Sequence, residues 1–410
     1  MAATFKLKRF ANVGLLRKID FTLLLQLLAP FSSFFEGRHE FQWTTNQEEF
    51  SFEKLSKVML TLDSGTPEEL LRSLYFVDCF ADDLYFDPLL EIAQAKNLSS
   101  ISDDITPADL ALTLWLHCPD AVEQFHADVH RHDRKGRAKR FESFFSTSAE
   151  PLPLAIPSSD TIENMQNEIG FWAYTHKRGK GVRIFVTPEN GAVWIMIRHG
   201  QPMKRENTIE ADGGDGLAFY RPEKFDTMIY YPETGELAVC AKTKGEQTAY
   251  SACLGKHCFG SEKYFDLRGA SKYTLEPLTK QGRSSLYCTD IPGIRSITLR
   301  EVLINHGEDS ERNIEIRRCD DVFDAMELER RPLTGKMFQG RVVKAKFEVF
   351  FEDNRVRTMT IELPNIAHYD RESDHELLNL WLMRRRFIVR ETFEERVSHE
   401  TYREPVLVHA

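Results

Sequence analysis

The sequence lacks the two glycine-containing motifs that would mark common classes of enzyme. It has no Gly-x-x-x-x-Gly-Lys loop for nucleotide phosphates and no Gly-x-Ser-x-Gly elbow for a serine nucleophile. The run "GGDG" at residues 213–216 lies between predicted strands, so no helix amino terminus follows it to bind a phosphate. A nucleotide-driven motor and a serine hydrolase are therefore excluded as first hypotheses, and no cofactor is expected.

Long apolar segments are also missing. The longest, "IDFTLLLQLLAPFSSFF", is interrupted by Asp20 and Gln26 and contains Pro30, and it is shorter than the ~20 apolar residues that cross a bilayer. It follows several basic residues as a signal peptide would, but no small-x-small cleavage site comes after it. We therefore expect a buried helix and no membrane contact.

Cysteines are few and do not form a disulfide framework. Seven are scattered between Cys79 and Cys319 without regular spacing. An odd number of scattered cysteines is typical of reduced thiols in a reducing compartment. This pattern predicts a cytoplasmic protein.

Basic residues are outnumbered, with 53 Lys and Arg against 63 Asp and Glu, which gives a net charge of -10. Because the chain as a whole is negatively charged and repels nucleic acid, any contact with nucleic acid must come from a local basic patch. Two segments, "HRHDRKGRAKR" and "WLMRRRF", concentrate cations. Nucleic-acid binding is the functional interpretation, and contact with an acidic protein partner or solvated helix ends are the alternatives. The basic residues of the two segments are Arg131, Arg134, Lys135, Arg137, Lys139, Arg140, Arg384, Arg385 and Arg386.

The pattern of helix and turn signals predicts an α+β protein. Thr106 and Pro107 begin one of several amphipathic helices in the first third of the chain, which is followed by the proline-rich segment "STSAEPLPLAIPSSD". Asn190-Gly191 separates two β-branched runs and predicts a hairpin, and a second hairpin turns at residues 233–235. We expect a helical domain at 1–150 and antiparallel β-rich α+β domains at 160–275 and 276–410.

The last third of the chain carries another hairpin and a helix. Alternating apolar residues from Val343 to Phe351 precede a turn at Asp353-Asn354, after which a returning strand is expected. Ser373 and Glu376 have the spacing of a reciprocal helix cap. These signals predict a half-buried hairpin followed by a capped helix.

The triplet Arg198-His199-Gly200 at the end of an apolar strand resembles the motif of the histidine phosphatases, and His306 offers a second histidine. In that family the triplet leads from a parallel strand into a helix. Here the strand is the second arm of a hairpin, and the polar, turn-rich "QPMKRENTIEADGGDG" follows. An exposed strand end is therefore preferred to a phosphoryl acceptor, and the two histidines are not expected to share a pocket.

The hairpin at 226–242 resembles the metal-binding hairpin of restriction-type nucleases. Asp226 has the place of the first acid and Lys242 that of the lysine. Cys240 stands where the family has a glutamate, and a thiol is a poor ligand for Mg²⁺. Glu236 would have to reach in from the turn, so an active nuclease, a degenerate relative and a plain hairpin all remain open.

Two histidine-containing segments have the spacing of zinc ligands. His126 and His130 lie four residues apart on a predicted helix, and Cys253 and His257 have the same separation. Solvated or partly buried side chains are the preferred interpretation of both, and no bound metal is expected.

These features predict a non-catalytic binding subunit of a multi-protein assembly that contacts protein partners and nucleic acid, in genome defence (including antiviral defence) or DNA processing. The alternative is a nuclease-like or phosphatase-like enzyme centred on the 190–260 sheet. The position of Asp226, Glu236 and Lys242 relative to one another distinguishes the nuclease from the binding protein.

Overall fold

The protein folds as a mixed α+β chain, as predicted, with helices first and a large antiparallel sheet after them. The computed structural model describes residues 7–63, 65–98, 101–102, 104–132, 139–148, 150–209, 213–266, 271–307, 313–328 and 340–389. Within these ranges, none of the helices combines the length and apolar character that crossing a bilayer requires. The chain divides into two compact units, Met1–His130 and Arg131–Ala410.

The first unit is built from helices around one apolar core. The apolar segment near the amino terminus forms a helix that buries Leu24, Leu27 and Leu28, and Thr106 caps its helix by accepting a hydrogen bond from the Asp109 amide. The α-helices are α1 (Lys8–Ala11), α2 (Val13–Leu16), α3 (Phe21–Leu28), α4 (Ser32–Phe35), α5 (Phe52–Leu60), α6 (Glu68–Phe80), α7 (Phe86–Ala95), α8 (Pro107–His117) and α9 (Pro119–His132), and the last of these continues into the second unit.

The second unit contains one continuous sheet and a separate hairpin. The strands are β1 (Lys139–Ser146), β2 (Arg183–Glu189), β3 (Ala192–Gly200), β4 (Lys204–Ile209), β5 (Asp215–Tyr220), β6 (Glu223–Tyr231), β7 (Glu236–Cys240), β8 (Phe265–Asp266), β9 (Ile294–Asn305), β10 (Ile314–Arg318), β11 (Arg341–Phe351), β12 (Val356–Glu362) and β13 (Ile366–Tyr369). The sheet order is β10-β9-β11-β12-β13-β1-β7-β6-β3-β2, and β8 also pairs with β1. Strands β4 and β5 pair only with each other among the described strands.

Strand β1 joins two halves of this sheet. On one side it pairs with β7, and on the other it pairs with β13, so that the first half is β1-β7-β6-β3-β2 and the second half is β13-β12-β11-β9-β10. The remaining helices are α10 (Ser159–Thr175), α11 (Lys244–Phe259), α12 (Glu276–Gln281), α13 (Val322–Leu328) and α14 (His375–Arg384).

The helices of the two halves pack on opposite faces of the sheet. In the first half, α10 and α11 pack with Phe144 of β1 in one apolar cluster. In the second half, α12, α13 and α14 pack with Ala367 of β13, which lies directly opposite Phe141 of β1. Because neighbouring side chains of a strand alternate between faces, Phe141 and Phe144 lie on opposite sides. The helix-covered face changes at β1.

The continuous sheet bears on the expected domains. The sequence predicted boundaries near residues 150 and 275. The two compact units of the structure instead meet between His130 and Arg131. The large sheet also includes strands from both sides of residue 275. Strand β1, in the segment assigned to the helical domain, is the central strand of the sheet. Its partners β7 and β13 are distant in sequence, and no local pattern records that pairing.

Candidate functional site

One end of the first half gathers several chain segments around the Arg198-His199-Gly200 triplet. Strand β3 ends there, β6 begins beside it, and α11 begins close by. The loop after α10 returns to the same place, because the Arg178 carbonyl would lie only 2.5 Å from a Cβ atom at position 200. The glycine of the triplet is therefore required for close packing of the backbone.

His199 is buried and both of its ring nitrogens are hydrogen-bonded. Its Nε2 lies 2.8 Å from Oδ2 of Asp226, and its Nδ1 lies 2.8 Å from the carbonyl oxygen of Gly200. The carboxylate also accepts hydrogen bonds from Tyr250 and Lys224, at 3.0 and 2.7 Å. Both ring nitrogens are therefore held by oxygen atoms of the protein, an arrangement that does not favour a phosphoryl acceptor.

The second histidine of the phosphatase interpretation lies in the other half of the sheet. His306 follows β9 and is bonded to Glu315 at 2.9 Å. Strands β3 and β9 are seven positions apart in the sheet order, which corresponds to roughly 34 Å at ~4.8 Å per strand. His199 and His306 therefore do not share a pocket. The expectation of an exposed strand end is wrong at His199, which is only 3% exposed because α11 and the loop after α10 pack against it.

A buried ionic network lies beneath this strand end. Glu246 caps α11 by accepting hydrogen bonds from Thr243, forms an ion pair with Arg178, and lies 3.3 Å from the ammonium of Lys224. Burial alone would raise the pKa of Glu246, but Lys224, Thr243 and Arg178 together lower it to about 2. The network holds the loop after α10 against α11 and β6.

Three residues of this network have the spacing of metal ligands. His199, Asp226 and Glu246 each place one ligand atom within 4.8 Å of the others, a spacing that would suit a divalent cation. The ammonium of Lys224 lies between the two carboxylates, at 2.7 Å from Asp226 and 3.3 Å from Glu246. Because Lys224 supplies the positive charge that both carboxylates need, the cluster is stabilised as an ion-pair network.

Exposed cations cover the outside of the same end of the sheet. None of them forms an ion pair with a carboxylate in the described parts of the chain, whereas Glu206 and Glu223 are exposed acids nearby. We call this set the basic corner; it consists of Lys177, Lys180, Lys204, Arg205 and Arg221.

Local geometry brings the basic corner together from three segments. Arg221 donates a hydrogen bond to the carbonyl of Lys177, and its side chain packs 3.2 Å from the Cβ position of Gly179, whose φ is +82°. Lys204 pairs with Tyr220 in the β4–β5 hairpin and so lies beside Arg221. The corner is thus continuous from the end of α10 to the base of the hairpin.

The predicted basic residues are placed differently. Arg131 is only 2% exposed, lies 2.6 Å from Glu189 and packs its guanidinium over Trp194. Lys139 is half-buried, and the exposed Arg140 lies 3.9 Å from Glu142. Arg134, Lys135 and Arg137 lie outside the described residues.

The second predicted segment is at the end of α14, which packs on the face of the sheet opposite Arg140. Arg384 and Arg385 both bind Asp290, and Arg386 is exposed at the end of α14. Arg140 shares a face of the sheet with Phe144, whereas α14 packs on the face of Phe141. Arg140 is therefore on the face opposite α14, whereas the half-buried Lys139, which pairs with Tyr369, is on the same face as α14.

The three residues of the nuclease interpretation do not converge. Asp226 alternates with Met228 and Tyr230 on the face covered by α10 and α11, whereas Glu236 alternates with Ala238 on the opposite face. Glu236 is bound instead by Lys272 at 2.6 Å. Lys242 is exposed beyond the end of β7. No shared cleft can hold a cation between Asp226 and Glu236.

Histidines of the two segments with zinc-ligand spacing are hydrogen-bonded to other side chains of the protein. His126 lies 3.1 Å from the Tyr75 hydroxyl. Glu168, Cys253 and His257 place their ligand atoms within 4.8 Å of one another, but Glu168 is bound by His257 at 2.9 Å and by Lys256 at 2.8 Å. Burial raises the pKa of Cys253, so the thiolate that a metal needs is disfavoured.

We expect purified protein to contain no stoichiometric zinc, because Lys256 already neutralises Glu168 and the Cys253 thiol is buried. Elemental analysis of protein dialysed against buffer without chelator measures this. One zinc per chain that disappears in Cys253→Ser and His257→Ala, but remains in Cys319→Ser, would contradict the expectation.

The sequence prediction missed the basic corner because its cations are distributed over three short segments. The only local signal is "HKRGKGVR" at residues 176–183, which contains four cations and no acid. Neither a known protein family nor a curated protein matches the chain.

Proposed function

We propose that this chain is a non-catalytic binding subunit that contacts the backbone of nucleic acid through the basic corner. The observation that carries the proposal is five exposed cations without carboxylate partners in the described residues, on a chain of net charge -10. Phosphate groups are the natural partners of such a cluster, since each contact releases condensed counterions. The separation of His199 from His306, and the position of Asp226 and Glu236 on opposite faces of the sheet, favour binding over catalysis.

We further propose that the protein acts in the cytoplasm as part of an assembly. All seven cysteines are free thiols, which is typical of a reducing compartment. The reach of the basic corner is limited to ~8–10 Å at physiological salt, so the chain alone should bind weakly. Partner proteins would supply further contacts with the nucleic acid.

We expect the double substitution Lys177→Glu with Arg221→Glu to weaken binding to a 20-base-pair DNA duplex about tenfold or more. Two lost phosphate contacts should also reduce the slope of log K against log salt by about 2. Fluorescence anisotropy of a labelled duplex between about 50 and 200 mM salt measures both quantities.

The matched control is Lys57→Glu with Lys96→Glu, which changes the charge equally at two exposed positions of the first unit. It should leave the salt slope unchanged. Arg140→Glu with Arg386→Glu tests the sequence-predicted segments and should have the smaller effect. The proposal fails if wild-type protein binds neither duplex nor single-stranded DNA at low salt, or if the basic-corner variant binds no more weakly than the control.

A further inference from the structure

We infer that the basic corner is a site for single-stranded nucleic acid, an inference that rests on the proposed function. Exposed aromatic rings lie among its cations: Tyr174 is 56% exposed, Phe219 is 61% exposed and Tyr220 is 40% exposed. A surface that binds only phosphates has no need for these rings. The faces of unpaired bases are their natural partners.

The rings and cations occur in neighbouring pairs. The ammonium of Lys180 lies 4.7 Å from the centroid of the Tyr174 ring. In the β4–β5 hairpin, Lys204 is directly opposite Tyr220, and Arg205 is directly opposite Phe219. Each pair thus offers one cation for a phosphate and one ring for the adjacent base.

The hairpin gives this arrangement its shape. Strands β4 and β5 form a two-stranded sheet whose side chains are mostly exposed, and successive residues point to opposite faces. The Lys204–Tyr220 pair therefore lies on one face and the Arg205–Phe219 pair on the other. A flexible single strand can follow both faces, whereas the bases of a rigid duplex are stacked and paired, so their faces cannot reach these rings.

A two-stranded hairpin without a core is also marginally stable by itself. Ile209 and Leu217 share the face of Phe219 and are exposed as well. A bound strand would cover this apolar surface. The alternative occupant, an apolar protein partner, would need no cation opposite each ring, and the test separates the two.

The test uses the full chain and fluorescence anisotropy to compare binding of labelled oligo-dT of about 20 nucleotides with binding of a duplex of about 20 base pairs, a length sufficient to span one site. We expect wild-type protein to bind the single strand more tightly, although the duplex has the higher charge density. Phe219→Ala and Tyr174→Ala should each weaken single-strand binding by about 5- to 150-fold and leave duplex binding almost unchanged.

Substitutions of Phe219 by other apolar residues distinguish ring stacking on a base from general apolar contact. Phe219→Trp should retain single-strand binding, whereas Phe219→Leu, which keeps an apolar side chain but loses the ring, should weaken it as Phe219→Ala does. Because Phe219 is exposed, these variants should keep the wild-type melting temperature. Equal binding of Phe219→Leu and wild-type protein would overturn the inference.

The outcomes also separate this inference from the proposed function. If Lys177→Glu with Arg221→Glu weakens binding of both probes while the aromatic variants bind like wild type, the basic corner binds backbone only and the inference is wrong. If neither probe binds at low salt, the proposed function fails as well. Tighter binding of the duplex than of the single strand would overturn the inference alone.

Discussion

Replacing Glu236 with glutamine should lower the free energy of unfolding of the second unit by about 3–5 kcal/mol, because it leaves buried cations without their counter-ion. The Glu236 carboxylate accepts hydrogen bonds from Lys272 with both oxygens at 2.6 Å and lies 3.5 Å from Arg371. Chemical denaturation followed by tryptophan fluorescence measures the loss.

The size of this effect follows from burial. Glu236, Lys272 and Arg371 are each no more than 5% exposed. Burial raises the pKa of Glu236, but Lys272 and Arg371, with a hydrogen bond from Ser143, lower it to about 2. The folded state therefore depends on this negative charge, which glutamine cannot supply.

A matched control uses the same substitution in an exposed ion pair. Glu276 lies 2.6 Å from Lys280 one helical turn away, and both side chains are exposed. Glu276→Gln should cost at most about 0.5 kcal/mol. Adding Lys272→Met to Glu236→Gln should restore part of the stability, since it removes one unpaired cation. Equal losses for Glu236→Gln and Glu276→Gln would show that the buried cluster has no such role.

The sequence predicted those parts of the fold that depend on local backbone chemistry. Asn190 and Gly191 both have positive φ and turn the β2–β3 hairpin, in which Glu189 pairs with Ala192. Asn354 has positive φ in the turn between β11 and β12. In such turns a few adjacent residues determine the conformation, so a short pattern is sufficient.

Tertiary contacts override local signals elsewhere. Ser373 was expected to cap the last helix, but its hydroxyl donates to Asp370 and α14 begins at His375 without a side-chain cap. Asp370 in turn binds Arg357 of β12. The Ser373 hydroxyl thus hydrogen-bonds to Asp370, which Arg357 of β12 positions, and not to the helix amides that the sequence pattern predicted.

The candidate site was less predictable than the fold because it is assembled from distant segments. The sequence identified Arg198, His199 and Asp226 as chemically notable, and they do lie at the same end of the sheet. It could not identify their roles, which depend on Lys224 and Glu246 as ion-pair partners. A dense run of cations is visible in a sequence, whereas a patch formed by three separate segments becomes visible only after folding.

The stability of the second unit should decrease as pH falls below about 6.5, with His375 as the first cause. Burial lowers the pKa of His375, and the nearby Arg371 and Lys272 lower it further, to about 3 from an ordinary value of 6.5. Between these values the unfolded chain binds a proton at His375 that the folded chain does not. Each such group reduces the free energy of unfolding by up to about 1.4 kcal/mol per pH unit.

Glu236 acts in the same direction at lower pH. Its pKa is about 2 in the folded state against an ordinary 4.5, so below pH 4.5 the unfolded chain again binds the additional proton. The stability contributed by its ionised form is present above 4.5 and is lost as pH falls toward 2. Denaturation curves should therefore show one slope between about pH 6.5 and 4.5 and a steeper one below it.

His375→Phe should flatten the first of these slopes by up to about 1.4 kcal/mol per pH unit and leave the second. Phenylalanine keeps a ring for stacking on Tyr231, whose centroid lies 5.0 Å from that of His375, although it removes the hydrogen-bond partner of the Tyr369 hydroxyl. The variant and the wild-type protein are compared by the slope of unfolding free energy against pH, since a uniform loss of stability does not change that slope. His368→Phe, at an exposed position on β13, controls for removal of an imidazole. An unchanged slope in His375→Phe would mean that another group produces the acid destabilisation, and the buried neutral imidazole would have no part in it.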